Sequence, residues 1–289
     1  MRSIPAVQAN VQLIMPTISE PLPKFDSPPV IETALSVQFA RLSSFATATA
    51  GWFWKSYLAK LGGALDWSKA SDAPRLEDRF ERFGENEGWG TPGFRMGTVE
   101  SHRTQIIRAD EERMIQVQDS RFVLNWRKGK GIYPSYTTLL EEFWTPYHAF
   151  EQFAKDAGLG AVEPNQWEIT YVNHILQGDM WDSPRDWAKI FPSVSFPKST
   201  SGVSGETLNA DWRYALSAER GRLYASLRHI KIAPSNAKAL QLQLTARGPV
   251  DLEKGWSIVE GFELGHGSIV TTFAAMTSEE AHKRWQRRI

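Results

Sequence analysis

Apolar and polar residues alternate strictly near the start of the chain. Ile31, Thr33, Leu35, Val37 and Phe39 fall on one side and Glu32, Ser36 and Gln38 on the other, the period of a half-buried strand. The period then lengthens. Ala50, Phe53, Tyr57, Leu58 and Leu61 recur at helical spacing behind Ser43 or Ser44 as N-cap, and Gly62 with Gly63 supplies a stop. Residues 64–93 are charged, aromatic and glycine-dotted, with only 76–83 patterned enough for a short strand or helix. Alternation returns over 104–109, 113–118 and 121–126, separated by Asp110-Glu111-Glu112 and by Asp119-Ser120, short polar breaks that predict an antiparallel meander. A helical stripe follows: Tyr136, Leu139, Leu140, Phe143, Tyr147, Phe150 and Phe153, capped by Ser135, with Pro146 expected to kink or split it.

The second half repeats this order. Trp167, Ile169, Tyr171, Asn173 and Ile175 form a strand face, and Ser183-Pro184 with Asp186 opens a short helix. Strands are predicted over 206–216, 222–232 and 239–247, then a helix from about 251 past 273. Thr277 and Glu280 fit a capping box for a last short helix. The expected fold class is therefore α+β: antiparallel sheets with helices on one face, in two tandem strand-helix-meander-helix units. We expect a loosely ordered arm over 1–24, a first unit over 25–162 and a second over 163–289, packed as one body.

Composition narrows the function classes. The 289 residues carry 33 Lys plus Arg against 33 Asp plus Glu, so no global field recruits nucleic acid or an anionic membrane. With no cysteine, disulfide frameworks, thiolate zinc sites and cysteine nucleophiles are excluded, which fits a reducing compartment. Prolines at 5, 16, 21 and 23 interrupt the start and no run of 18 residues stays apolar, so neither a secretory signal nor a membrane helix is expected. The expected location is the cytoplasm.

Four segments, read in order, carry a resemblance: FDSPPVIETALSVQF, MIQVQDSRFVLNWRK with YPSYTTLLEEFWTPYHAFEQF, EITYVNHI, and HGSIVTTFAAMTSEEAHKRW. Together they resemble a sporadically distributed family of uncharacterised bacterial proteins, over most of the chain from Phe25 onward. Gly265 and Gly267, flanking His266, depart from the plainly helical pattern of such relatives and put helix continuity there in question. The resemblance implies a bacterial accessory protein and transfers no catalytic residue.

Candidate chemistry is sparse. The six histidines are too dispersed for a paired metal site, and the phosphate-loop, dinucleotide and nucleophile-elbow signatures are missing, so no cofactor and no metal is expected. His266 falls on an apolar stripe with Trp256, Val259, Ile269, Val270 and Phe273, and reads as a hydrogen-bonded core or interface histidine. Asn173, among Ile169, Tyr171 and Ile175, is expected to bond backbone, since an unpaired buried amide is costly. Arg127, Lys128 and Lys130 with their glycines precede the Ser135 helix, where cations and free N–H groups can hold a phosphate or form an ordinary loop.

The polar face of the second meander carries Arg213, Arg222, Tyr224, Arg228 and Arg247 against Asp211, a basic surface that suits a phosphate-rich ligand, a stacked base or an acidic protein. Parity slips between Leu227 and Ile230, which predicts a bulge there. The first expectation is a non-catalytic binding or interaction protein with a protein partner or self-association. The alternatives are a nucleic-acid or nucleotide binder through the basic face, and a hydrolase of a phosphorylated substrate near Arg127 to Lys130.

Overall fold

Alternation dictates one sheet. A computed structural model describes residues 21–61, 66–81, 83, 102–196 and 202–288. Along the chain these form β1 (Lys24–Phe25), β2 (Val30–Phe39), α1 (Thr47–Ser56), β3 (Trp67–Pro74), β4 (His102–Arg108), β5 (Arg113–Gln118), β6 (Arg121–Arg127) and α2 (Tyr136–Asp156). The second half adds β7 (Pro164–Leu176), α3 (Trp187–Ile190), β8 (Ala210–Ala215), β9 (Arg222–Ile232), β10 (Ala237–Pro249), α4 (Ile258–Met276), α5 (Glu279–Arg284) and β11 (Arg287–Arg288). The fold is α+β. Nine strands make one antiparallel sheet in the order β3-β4-β5-β6-β2-β7-β10-β9-β8, and β1 pairs with β11 beside it.

The two halves meet where β2 and β7 pair, with Leu35 opposite Ile169 and Val37 opposite Trp167. Each half hangs its meander outward from its own first strand, β6 then β5 beside β2, and β10 then β9 beside β7. The sheets expected in the plural are thus a single sheet that runs through both halves.

The helix-covered face holds the core. Leu35, Val37, Ile115, Phe122, Leu124, Trp126, Ile169, Leu242 and Leu244 are all buried there beneath aromatic residues of the helices. Phe150 of α2 meets Phe39, Phe53 and Phe122 at ring separations of 5.7, 5.3 and 5.6 Å, and Phe143 meets Phe262 of α4 at 5.3 Å. Such edge and tilted contacts are the favoured geometries for packed rings.

Several local expectations need correction. The first helix starts at Thr47 instead of after Ser43 or Ser44, with Thr49 Oγ1 accepting the Ala46 N–H at 3.1 Å. Ser135 does cap α2, accepting from Thr138 N at 3.1 Å, but Pro146 neither splits nor ends that helix. The buried stripe through Phe143, Tyr147 and Phe150 holds it to the sheet on both sides of the proline.

Helix α4 is continuous through Gly265 and Gly267, answering the question those glycines raise. Their neighbour Gly261 and Gly265 itself allow the close approach of helix to sheet: a Cβ at 261 would lie 2.3 Å from the Trp167 ring, and one at 265 2.5 Å from Ile169. The last helix is capped by Ser278, one residue after Thr277, whose hydroxyl donates instead to Phe273 O at 2.7 Å.

β9 and β10 pair in unbroken register from Arg222 to Ile232, so the expected bulge is not there. Parity breaks because His229 takes a helix-face position, against Trp181 and Trp187 at 5.5 and 5.2 Å. Strand β3 was not anticipated, because only Trp67 of its eight residues is buried. The described residues of 76–83 form neither strand nor helix; they cross the helix-free face as a strap bonded to sheet glutamines. Of the expected N-terminal arm, residues 1–20 lie outside the described residues, while Lys24 is a strand residue and Phe25 packs on Phe273 at 5.2 Å. Among the described residues no helix is long and apolar enough to cross a membrane.

Candidate functional site

The sheet has two chemically different faces, and each holds part of the candidate chemistry. On the helix side, Tyr171 and Asn173 project from β7 toward the gap between the first turn of α2 and the middle of α4. That gap is a cavity of about 520 Å³, closed on one side by Pro23, Phe25 and Pro28 of the N-terminal segment. Its walls are mainly apolar, and Ile132 on its rim is 94% exposed, an unusual position for an isoleucine.

His266 enters this cavity from α4. Its ring stacks on Tyr136 with centroids 3.9 Å apart and planes within 3°, and its Nδ1 shares a hydrogen bond with the Tyr171 hydroxyl at 3.0 Å. Burial pushes the imidazole down to about 4, so the ring is neutral at neutral pH. Burial likewise holds the phenols of Tyr133, Tyr136 and Tyr171 above their ordinary range, and Glu263 adds to the effect at Tyr136. The cluster of His266 and the three tyrosines is therefore uncharged, with every phenol protonated.

Two polar atoms at this cavity are buried without a hydrogen-bond partner, Asn173 Oδ1 and the Tyr136 hydroxyl. The expected backbone bond of Asn173 is present, from Nδ2 to Leu242 O at 3.1 Å, and it uses only half of the amide. An orphaned buried acceptor costs about 1–3 kcal/mol unless a donor arrives. His266 is, as expected, a hydrogen-bonded histidine on an apolar face. Unforeseen was the convergence of Tyr136 and Tyr171 on it, with Tyr133 in the same cavity wall, because these come from a helix start, a strand and a loop that only the tertiary fold assembles.

On the helix-free side, the cations of the basic face lie in or beside the strap's path. Glu81, with its side chain 4% exposed, accepts from Arg222 at 2.9 Å, from Tyr224 at 2.9 Å and from Arg247. Burial raises this carboxyl, but the Arg247 and Arg222 hydrogen bonds outweigh it and hold the group below its ordinary range. Arg247 also donates to Glu168 at 3.1 Å, and Arg228 to Asp211 at 2.6 Å. The Arg213 guanidinium lies 5.2 Å from the Tyr224 ring, and Arg222 lies 4.2 Å from Phe83.

Three sheet glutamines fix the strap's backbone: Gln118, Gln38 and Gln166 accept from Leu76 N, Arg79 N and Glu81 N at 3.0, 2.9 and 3.4 Å. The basic array read from the sequence is real, but its anion is supplied within the chain, 166 residues before Arg247.

The loop of Arg127, Lys128 and Lys130 also closes on an internal carboxylate. Glu112 Oε1 accepts from Gly131 N at 2.7 Å, which fits the ordinary-loop reading and not the phosphate alternative. Lys128 and Lys130 are exposed, and the first turn of α2 is already capped by Ser135. The fold brings neither lysine into the aromatic cavity. Among the described residues no group of three or more His, Asp or Glu side chains is placed to hold a metal ion. Neither a protein-family model nor a curated protein matches the sequence.

Proposed function

We propose that this protein is a non-catalytic binding protein of an accessory bacterial system, and that its ligand seats in the aromatic cavity beside His266. The observation that carries this reading is the unpartnered Asn173 Oδ1 at the wall of a 520 Å³ apolar cavity. A pocket of that size, with few polar groups against many apolar ones, suits a small organic molecule. The complement to its chemistry is neutral, ring-bearing and largely apolar, with one hydrogen-bond donor for Asn173. The charged residues of its lining are Lys24 and Asp26, of opposite sign, with Asp26 held by Arg288 at 2.5 Å; the rest of the wall offers a charged ligand no counter-ion.

The nucleic-acid reading is weakened by the pairing of Arg222 and Arg247 with Glu81, and the phosphate-hydrolase reading by Glu112 in the Lys128 loop. The test uses two ring systems of the same shape, indole, which carries an N–H, and benzofuran, which does not. In calorimetric titration indole should bind about tenfold more tightly, the worth of satisfying one buried acceptor. Replacing Asn173 with Leu should erase that preference while leaving benzofuran binding in place. Equal affinities in the parent protein, or no binding of either ring, would contradict the reading.

A further inference from the structure

Among the described residues, the strap leaves the middle of the helix-free face uncovered. Beside Leu76 lies a second cavity, of about 260 Å³, where the hydrogen-bonding side chains of Glu32, Ser36, Gln116, Asn125, Thr170 and Gln243 stand among Ala34, Val123 and Val172. Four strands contribute a directional ladder to it. Gln105 Nε2 donates to Gln116 Oε1 at 3.1 Å, Gln116 Nε2 to Asn125 Oδ1 at 2.7 Å, and Asn125 Nδ2 to Glu32 Oε1 at 2.5 Å. An ionised carboxylate can only accept, so Glu32 orients every amide in the row. Such rows polarise one another and strengthen toward the terminal acceptor.

Glu32 closes the ladder, and among the described residues it makes no ion pair of its own. The other carboxylate of the cavity, Glu168, is held by Arg121 at 3.2 Å and Arg247 at 3.1 Å. Burial holds the Glu32 carboxyl above its ordinary range, only partly offset by the Asn125 hydrogen bond and by the charges of Arg127 and Arg103, and those positive charges disfavour a second cation there. Each amide still has one N–H free of the ladder, and the Gln243 carbonyl and the second Glu32 oxygen have no partner among these bonds. The site therefore offers donors and acceptors side by side. Hydroxyl groups, which are both at once, are the ligand chemistry that satisfies such a wall.

We propose that this polar cavity is a second binding site, for a neutral polyhydroxylated molecule whose adjacent hydroxyls donate to Glu32 and pair with the amides of Gln116 and Asn125. This site lies across the sheet from the aromatic cavity and does not depend on the reading given to it.

The experiment is a nuclear magnetic resonance titration of the intact protein, following the side-chain NH2 signals of Asn125 and Gln116. The probes are D-glucose, D-ribose and myo-inositol, with cadaverine and inorganic phosphate as charged comparisons. At least one polyol should shift both amides saturably, and Glu32→Ala should weaken it about tenfold or more. Glu32→Gln, which keeps one acceptor, should weaken it less, and Asn173→Leu should leave it unchanged. Backbone spectra of each variant confirm that the sheet is intact. The proposal is overturned if none of the three polyols gives a saturable shift, if only cadaverine or phosphate does, or if Glu32→Ala binds as the parent does.

Discussion

The two faces of the nine-stranded sheet solve the same problem by opposite means. Beneath the helices, stability comes from aromatic contact, and the polar groups there, His266 and three tyrosines, are held uncharged by burial. Across the sheet, the buried groups are ions, and the strap keeps them in place by setting Glu81 between Arg222 and Arg247. The first face leaves a mainly apolar cavity with an unsatisfied acceptor. The second pairs Glu81 and Glu168 with its buried arginines and leaves a pocket with polar walls around Glu32. A basic patch counted from sequence is therefore a poor guide to ligand charge when an acidic segment from far along the chain reaches it.

The strongest test of this contrast is Glu81→Leu. It leaves two buried guanidiniums without their shared carboxylate and should destabilise the fold by about 3 kcal/mol or more in urea unfolding. A loss below about 1 kcal/mol would mean that the strap contributes no more than an exposed ion pair. On the other face, Gly261→Ala should cost about 1–3 kcal/mol by overpacking, because its Cβ would press into the buried Trp167 ring at 2.3 Å. Gly267→Ala is the control, since its Cβ would meet nothing nearer than Leu22 at 3.8 Å. It should be neutral or stabilise the helix by up to about 1 kcal/mol.

A smaller effect is expected from protonation. Below its ordinary 6.5, an unfolded His266 takes up a proton that the native ring refuses until about 4. Its contribution to stability is therefore intact above pH 6.5 and is lost as the pH falls toward 4. His266→Phe should flatten the stability profile across that window, and an unchanged slope would place the ring in contact with solvent. The smallest effect belongs to Arg228→Ala. Its partner Asp211 is 67% exposed, so the pair should be worth at most about 0.5 kcal/mol and vanish in high salt.

Periodicity made most of the sheet readable. Strands over 113–118 and 222–232 coincide with the observed bounds because helix-facing positions such as Ile115, Val117, Leu223, Ala225 and Leu227 are apolar and alternate with residues of the opposite face. Strand β3 was illegible for the converse reason: an exposed edge with one buried residue carries no alternation. Asn173 and His266 stood out as polar residues on apolar stripes, and both do line the aromatic cavity. Tyr136 was read as one more core aromatic, and only its stacking on His266 distinguishes it. Glu81 left no signal, because a charged residue in an unpatterned segment acquires its role only when the strap crosses the strands.

One titration examines both faces together: indole added to isotope-labelled protein, with the resonances of Asn173, Tyr136 and His266 followed beside those of Arg247, Tyr224 and Glu81. The account predicts saturable shifts confined to the first group, with the second unmoved. Shifts at Arg247 and Tyr224, or small unsaturable changes spread over both, would contradict the assignment of the aromatic cavity as the ligand site.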